Sequence, residues 1–125
     1  MDLLDTKLFS LIGEEGFARL TAAFFKRVPL DPILEPMYRH DLPGAEKRLR
    51  DFLVGRFGGP MRYVQERGHP RLRMRHAPYK IDVAARSRWV KLMEASLEET
   101  ALPPEADALL RQFFHSTATF MINHD

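Results

Sequence analysis

The chain has 125 residues and a formal net charge of +2, and its length predicts one domain, 1–125. Because it contains no cysteine, disulfides and thiolate metal sites are excluded. No apolar run approaches the roughly 20 residues that span a bilayer. The acidic Asp2 at the start is unlike a secretory signal. These features predict a soluble, cytoplasmic protein with no membrane partner.

Apolar residues recur at steps of three and four through most of the chain, which predicts an all-α fold. A short first helix is expected over residues 2–12. Gly13 and Gly16 bracket a predicted break, and a second helix starts at Glu14. Pro29 ends that helix because proline lacks the N–H that a helix interior needs.

Three aspartates are placed where helices are expected to begin. Asp31, followed by proline, predicts the N-cap of a brief helix that reaches Tyr38. Asp41 starts the next helix, which ends at Gly58-Gly59-Pro60. Asp82 caps a further helix, because its side chain can accept the first free N–H groups.

The remaining segments complete the prediction. Residues 61–71 contain glycine and proline without a clear period, so they are expected to be mostly loop. Pro103-Pro104 opens the last helix, whose inward side is predicted to run from Leu109 to Met121. No alternating strand pattern of useful length is present.

His76 stands out among the five histidines because it closes a basic segment and precedes Ala77-Pro78. The proline forces any helix to end near His76. A zinc site needs three or four protein ligands, and His69 with His76 does not supply them. A single histidine suffices where a porphyrin provides the other ligands. Haem is therefore the sharper hypothesis, with a purely structural histidine as the alternative.

Arg75 and Trp89 each have two open interpretations. Arg75 belongs either to a solvated basic face or to the edge of a haem pocket, where it would pair with a propionate. Trp89 is either ordinary core or a donor whose indole N–H faces a polar ligand on an iron.

The run RGHPRLRMRHAP at residues 67–78, with FGGP at 57–60 before it and Arg88-Trp89 after it, resembles the group II truncated haemoglobins. The similarity extends back through residues 42–49 and 31–38 and covers about residues 17–97. It implies a truncated globin fold, a two-over-two helical sandwich in which helices B and E pack against G and H around haem b (iron protoporphyrin IX).

The resemblance also assigns the proximal side of the haem. His76 takes the position of the histidine that binds iron, and its other ring nitrogen is expected to donate to a backbone carbonyl. Arg75 and Tyr63 match positions that hold the haem propionates. The remaining matches are the apolar walls of the haem site: Phe52, Leu53, Phe57, Leu72, Tyr79 and Ile81.

The distal ligand pocket is implied by five further matches. Trp89 corresponds to the tryptophan whose indole N–H donates to the bound ligand, and Tyr38 to the aromatic residue at the end of helix C. Ala45 and Leu49 match the gate and ceiling of the cavity. Phe25 is a departure, since the family usually has tyrosine there. Because phenylalanine donates no hydrogen bond, we predict a weaker hold on O2 than in relatives with that tyrosine.

Three classes of function stay open at this point. The first is reversible binding of O2, CO or NO at a five-coordinate histidine-ligated iron, as in an oxygen carrier. The second is a haem redox enzyme, such as a nitric oxide dioxygenase, nitrite reductase or peroxidase, which would need a separate reductase. The third, a haem-free module binding nucleic acid, is disfavoured by the matched pocket, so no nucleic acid is expected. The sequence leaves open a monomer or a homodimer.

Overall fold

The computed structural model describes residues 3–124, with side chains from Asp5 onward, so the predicted start of the first helix at Asp2 lies outside the described residues. Helices account for all the regular structure in that range, and none of them has the length and hydropathy to cross a membrane. The elements are α1 (Leu3–Arg27), a 3-10 helix (Val28–Leu30), α2 (Glu35–Tyr38), α3 (Leu42–Arg56), α4 (Arg62–Arg67), α5 (Leu72–Arg75), α6 (Val83–Thr100) and α7 (Pro104–Phe120).

A kink divides α1 into two helical segments. Gly13 has φ 70° and ψ 174°, a backbone conformation that interrupts the helix and that glycine adopts without a steric penalty. The predicted break at Gly13 is therefore confirmed. The second helical segment follows directly, as predicted from Glu14, and Gly16 lies inside it.

Two of the predicted caps and the end of α3 are confirmed. The Asp41 carboxylate accepts from the Gly44 N–H at 3.0 Å, and Asp82 accepts from the Ala85 N–H at 2.9 Å. After α3, Gly58 has φ 101°, and a Cβ built there would lie 2.1 Å from the Thr6 carbonyl oxygen. Only glycine permits this close approach between the end of α3 and α1.

The loop predicted over residues 61–71 is wrong in part, because α4 lies inside it. Arg62 holds this helix from outside: its Nη1 is 3.1 Å from Glu14 Oε2 and 3.5 Å from Asp51 Oδ1. Tyr63 is buried beside it. Tertiary contacts thus stabilise a short helix that has no periodicity of its own.

The long helices form two packed pairs. α1 packs on α3 and on α6, and α6 packs on α7. This is the predicted two-over-two arrangement. Phe120, predicted to face inward, is instead 63% exposed, so that part of the prediction is wrong. The largest fully buried side chains are Phe17, Phe24, Phe57, Leu8, Leu20, Leu34, Leu53, Met93, Leu97 and Leu110.

Asp31 joins the segment before α2 to α6. Its side chain is buried, accepts from the backbone N–H groups of Ile33 and Leu34, and receives the Arg88 Nε–H at 2.7 Å. The prediction of Asp31 as the N-cap of α2 is wrong: its side chain caps the turn over residues 32–34, and the helix begins only at Glu35 with Leu34 as its N-cap. Burial alone would raise the pKa of Asp31, but these hydrogen bonds outweigh it and lower that pKa below its ordinary value.

We predict that Asp31→Asn lowers the free energy of unfolding by about 1–2 kcal/mol at pH 7, because a charge-assisted bond to a part-exposed arginine is lost while the cap remains. The folded-state pKa of Asp31 is depressed, so its contribution is full above the unfolded pKa of about 3.9 and is lost as the pH falls through the folded value.

The measurement is urea unfolding of both proteins from pH 3 to pH 7. The difference in unfolding free energy should stay constant above about pH 5 and shrink below about pH 4. A difference that is independent of pH down to pH 3 would show that the ionised carboxylate does not stabilise the fold.

Candidate functional site

A cavity of about 530 Å³ opens between the helices, within the size range of cofactor sites. All but one of the residues predicted for the site line this single cavity. They are Phe25, Tyr38, Ala45, Leu49, Phe52, Leu53, Tyr63, Leu72, Arg75, His76, Tyr79, Ile81 and Trp89.

Phe57 is the exception, and its assignment to the haem wall needs correction. Its side chain is fully buried in the core, with its ring 6.2 Å from that of Phe17 and 5.1 Å from that of Phe113. Phe57 follows the last turn of α3, where the chain turns back toward α1. It therefore supports the cavity from behind, through Phe113, which does line it.

His76 follows the four-residue helix α5 and presents its ring to the cavity. The ring Nδ1 lies 2.7 Å from the Leu72 carbonyl oxygen. A carbonyl can only accept, so Nδ1 carries the proton, and in the neutral imidazole Nε2 then carries the lone pair. The hydrogen bond expected from the sequence is therefore present, and it fixes the tautomer that can bind a metal.

The Arg75 guanidinium donates mainly to backbone carbonyl groups. Its Nε donates to the Pro70 carbonyl at 2.8 Å, and its Nη2 donates to the Arg67 carbonyl at 2.6 Å. The guanidinium also lies 5.7 Å from the centre of the Tyr63 ring. Within the described part of the chain, Nη1 is the Arg75 nitrogen without a hydrogen-bond partner. Arg75 thus holds the loop before α5 and has one group left for a carboxylate.

Trp89 and Tyr38 form a hydrogen-bonded pair on another part of the wall. The Trp89 indole N–H donates to the Tyr38 hydroxyl oxygen at 3.3 Å. The Phe25 ring meets Tyr38 edge-on, with ring centres 5.5 Å apart. Burial raises the pKa of Tyr38, although the Trp89 hydrogen bond opposes the shift. The phenol therefore stays neutral near pH 7 and keeps its proton as a donor.

One face of α3 supplies the apolar part of the wall. Ala45, Leu49 and Leu53 recur at steps of four, which places them in one row along the helix. Phe52 lies beside this row, and its ring centre is 5.9 Å from that of Tyr63. The small side chain of Ala45 is the least bulky member of the row.

The cavity is also lined by charged residues that were not predicted to belong to the site. Arg48 pairs with Asp41 at 3.5 Å, and Arg86 donates to the Thr119 hydroxyl at 3.1 Å. The guanidinium of Arg67 lies 5.9 Å from the Tyr63 ring centre. For Arg67 and Arg86 the clustering of arginines over residues 62–88 is a signal in the sequence, but it does not indicate which of them face the cavity, and Asp41 and Arg48 lie outside that cluster.

The helix α7 also contributes to the wall. Its helical periodicity predicted an inward side, and members of that side line the cavity together with Ala118: Phe113, Phe114, Thr117 and Met121. The helical period predicts that this side is buried, but it does not distinguish a core contact from a cavity wall. The same face of α7 therefore packs in the core at Leu110 and lines the cavity from Phe113 onward.

The residues of this cavity fit a haem. An imidazole with a free Nε2 stands in a wall that is otherwise rich in aromatic and aliphatic side chains. Cationic groups of Arg48, Arg67 and Arg75 line the same cavity and can meet carboxylates at its edge. One imidazole, an apolar wall and basic groups are the donor set that an iron porphyrin with two propionates requires.

Comparison with known proteins gives a consistent result. Residues 7–123 match the family described as bacterial-like globin. The chain is 33% identical over 115 residues to the group 2 truncated haemoglobin YjbI of Bacillus subtilis, an alignment covering 92% of this chain and 87% of the relative.

Solved structures agree. A thermostable haemoglobin from Thermobifida fusca is 44% identical, with a TM-score of 0.89 over 92% of this chain and 95% of that one. The group II truncated haemoglobin from Bacillus anthracis is 30% identical, with a TM-score of 0.88 over 94% and 91%. With the two-over-two packing and the cavity described above, these matches show that the chain belongs to the bacterial-like globins, as a group II truncated haemoglobin.

Proposed function

We propose that the protein binds haem b in this cavity, with His76 as the axial ligand of a five-coordinate ferrous iron, and that it holds O2 or another diatomic ligand reversibly. When bound, the haem supplies the iron that takes up the ligand. Membership of the globin family supports the binding of haem and of oxygen. The observation that carries the assignment to His76 is the 2.7 Å bond from its Nδ1 to the Leu72 carbonyl.

That hydrogen bond has two consequences for the imidazole. It restricts rotation of the ring, since the Leu72 carbonyl also accepts the His76 backbone N–H at 3.0 Å. It also makes Nε2 a better electron donor, because the proton on Nδ1 is partly shared with the carbonyl. The ring is therefore oriented before any cofactor enters.

The pair formed by Trp89 and Tyr38 supplies the polar groups for the ligand side. Because the Tyr38 oxygen accepts from Trp89, its own O–H is directed elsewhere and is available to a diatomic ligand. Phe25 adds an apolar surface at the same place and no donor. The protein side of ligand binding then rests on the Tyr38 hydroxyl, which the single indole N–H of Trp89 orients by donating to its oxygen.

We expect purified protein to show a strong Soret band that His76→Ala weakens or abolishes, because the only proposed iron ligand from the chain is removed. Absorption spectra during titration with haem measure this. Free imidazole should restore the band in His76→Ala by occupying the space left by the side chain. His69→Ala is the matched control, since His69 is an exposed histidine of the preceding loop, and it should leave the spectrum unchanged.

A colourless wild-type protein that added haem does not change would contradict haem binding itself. A Soret band of equal strength in wild type and His76→Ala, insensitive to imidazole, would contradict only the assignment of the ligand.

We predict that Phe25→Tyr slows O2 release by up to about tenfold, the factor that one neutral hydrogen bond of at most ~1.5 kcal/mol supplies. Stopped-flow mixing of the oxygenated protein with an O2 scavenger measures the release rate. Phe25→Leu, which changes the ring but adds no donor, is the control and should differ little from wild type. Unchanged or faster release in Phe25→Tyr would overturn the prediction.

A further inference from the structure

The segment that follows α7 folds back against the segment that follows His76. The Asn123 backbone N–H donates to the Ile81 carbonyl at 2.8 Å, and the Asn123 side-chain oxygen accepts from the Ile81 N–H at 2.9 Å. Both polar groups of the Ile81 backbone are therefore held by one residue that lies 42 positions away.

The amide nitrogen of Asn123 extends the contact toward His76. It donates to the Tyr79 carbonyl at 3.0 Å and lies 3.4 Å from the His76 carbonyl. The orientation of the amide is fixed by its partners, because only Oδ1 can accept from the Ile81 N–H and only Nδ2 can donate to carbonyls. One side chain thus bridges three backbone sites between His76 and Ile81.

This segment needs such support. Residues 77–82 have no helix or strand of their own, and Pro78 offers no N–H to a neighbour. The preceding α5 has four residues and no side-chain cap, which is too short to be stable without outside contacts. Its geometry therefore depends on what holds it from outside.

A second residue completes the contact from the α5 side. Arg73 donates through Nε to the Phe120 carbonyl at 3.3 Å and through Nη2 to the Ile122 carbonyl at 3.2 Å. Beneath them, Met121 packs with Ile81 and Ala85 in a small buried cluster. Hydrogen bonds thus join the end of α7 to both sides of His76. Arg73 donates to it from α5, and Asn123 donates to and accepts from the segment that follows His76.

We propose that Asn123 is a positioning residue for His76. The Leu72 carbonyl orients the ring from the helical side, and Asn123 fixes the backbone on the other side, so that the depth and tilt of the imidazole are set from both. This inference rests on the proposed role of His76 as iron ligand. It makes the segment after α7 part of the proximal half of the site.

The test compares haem-loaded wild type with Asn123→Ala and Asn123→Asp. Resonance Raman spectroscopy of the ferrous protein reports the iron–histidine stretching band, and hydrogen exchange reports the Ile81 amide. In Asn123→Ala we expect a shifted and broadened band, and protection of the Ile81 amide lowered about tenfold, the factor for one hydrogen bond. Asn123→Asp keeps an acceptor for the Ile81 N–H but places a carboxylate oxygen against the Tyr79 and His76 carbonyls where the donor was, so it should also shift the band.

Gln112→Ala is the matched control, since it removes an exposed amide from α7 and should leave both readouts unchanged. An iron–histidine band with the same position and width in wild type and both Asn123 variants would overturn the proposal while leaving the role of His76 intact. Absence of that band from the wild type would instead overturn the proposed function. Should Asn123→Ala fail to fold, Asn123→Asp alone decides between these outcomes.

Discussion

The hydrogen bond between the His76 ring and the Leu72 carbonyl is the contact on which the proximal side of the site depends. It fixes the tautomer of an imidazole that follows a helix of only four residues, and so it leaves Nε2 as the free nitrogen. The surrounding chain keeps this short helix in place. Arg75 holds the loop before it, and Asn123 holds the segment after it.

The ligand side of the cavity depends on a different linkage. Trp89 and Tyr38 belong to α6 and α2, and the ion pair of Arg88 with Asp31 ties these two parts of the chain together next to the Trp89–Tyr38 hydrogen bond. The buried Asp31 carboxylate therefore helps to hold together the two parts of the chain that carry Trp89 and Tyr38. Phe25 contacts Tyr38 and has no hydroxyl. Under the proposed function, the Tyr38 hydroxyl therefore donates alone to the bound ligand, a role that a tyrosine at position 25 would share.

Local signals predicted much of this fold, and the misses have physical causes. The caps Asp41 and Asp82 act within three residues of their partners, so the sequence reveals them. The helix α4 depends on Arg62 reaching Glu14, 48 residues away, which no local period records. Phe57 matched a haem-wall position but packs in the core behind the cavity. Asn123 is a single polar residue after the last helix, and nothing local distinguishes it from a solvated one.

The central claim is that the His76 imidazole is the iron ligand and that its Nδ1 proton is shared with the Leu72 carbonyl. The most direct measurement is resonance Raman spectroscopy of the ferrous wild-type protein grown with unlabelled or ¹⁵N-labelled histidine. We expect an iron–histidine stretching band that moves to lower frequency with the heavier nitrogen, and that also shifts in deuterated water because the Nδ1 proton exchanges. A haem-loaded protein whose low-frequency bands show no response to labelled histidine would contradict it.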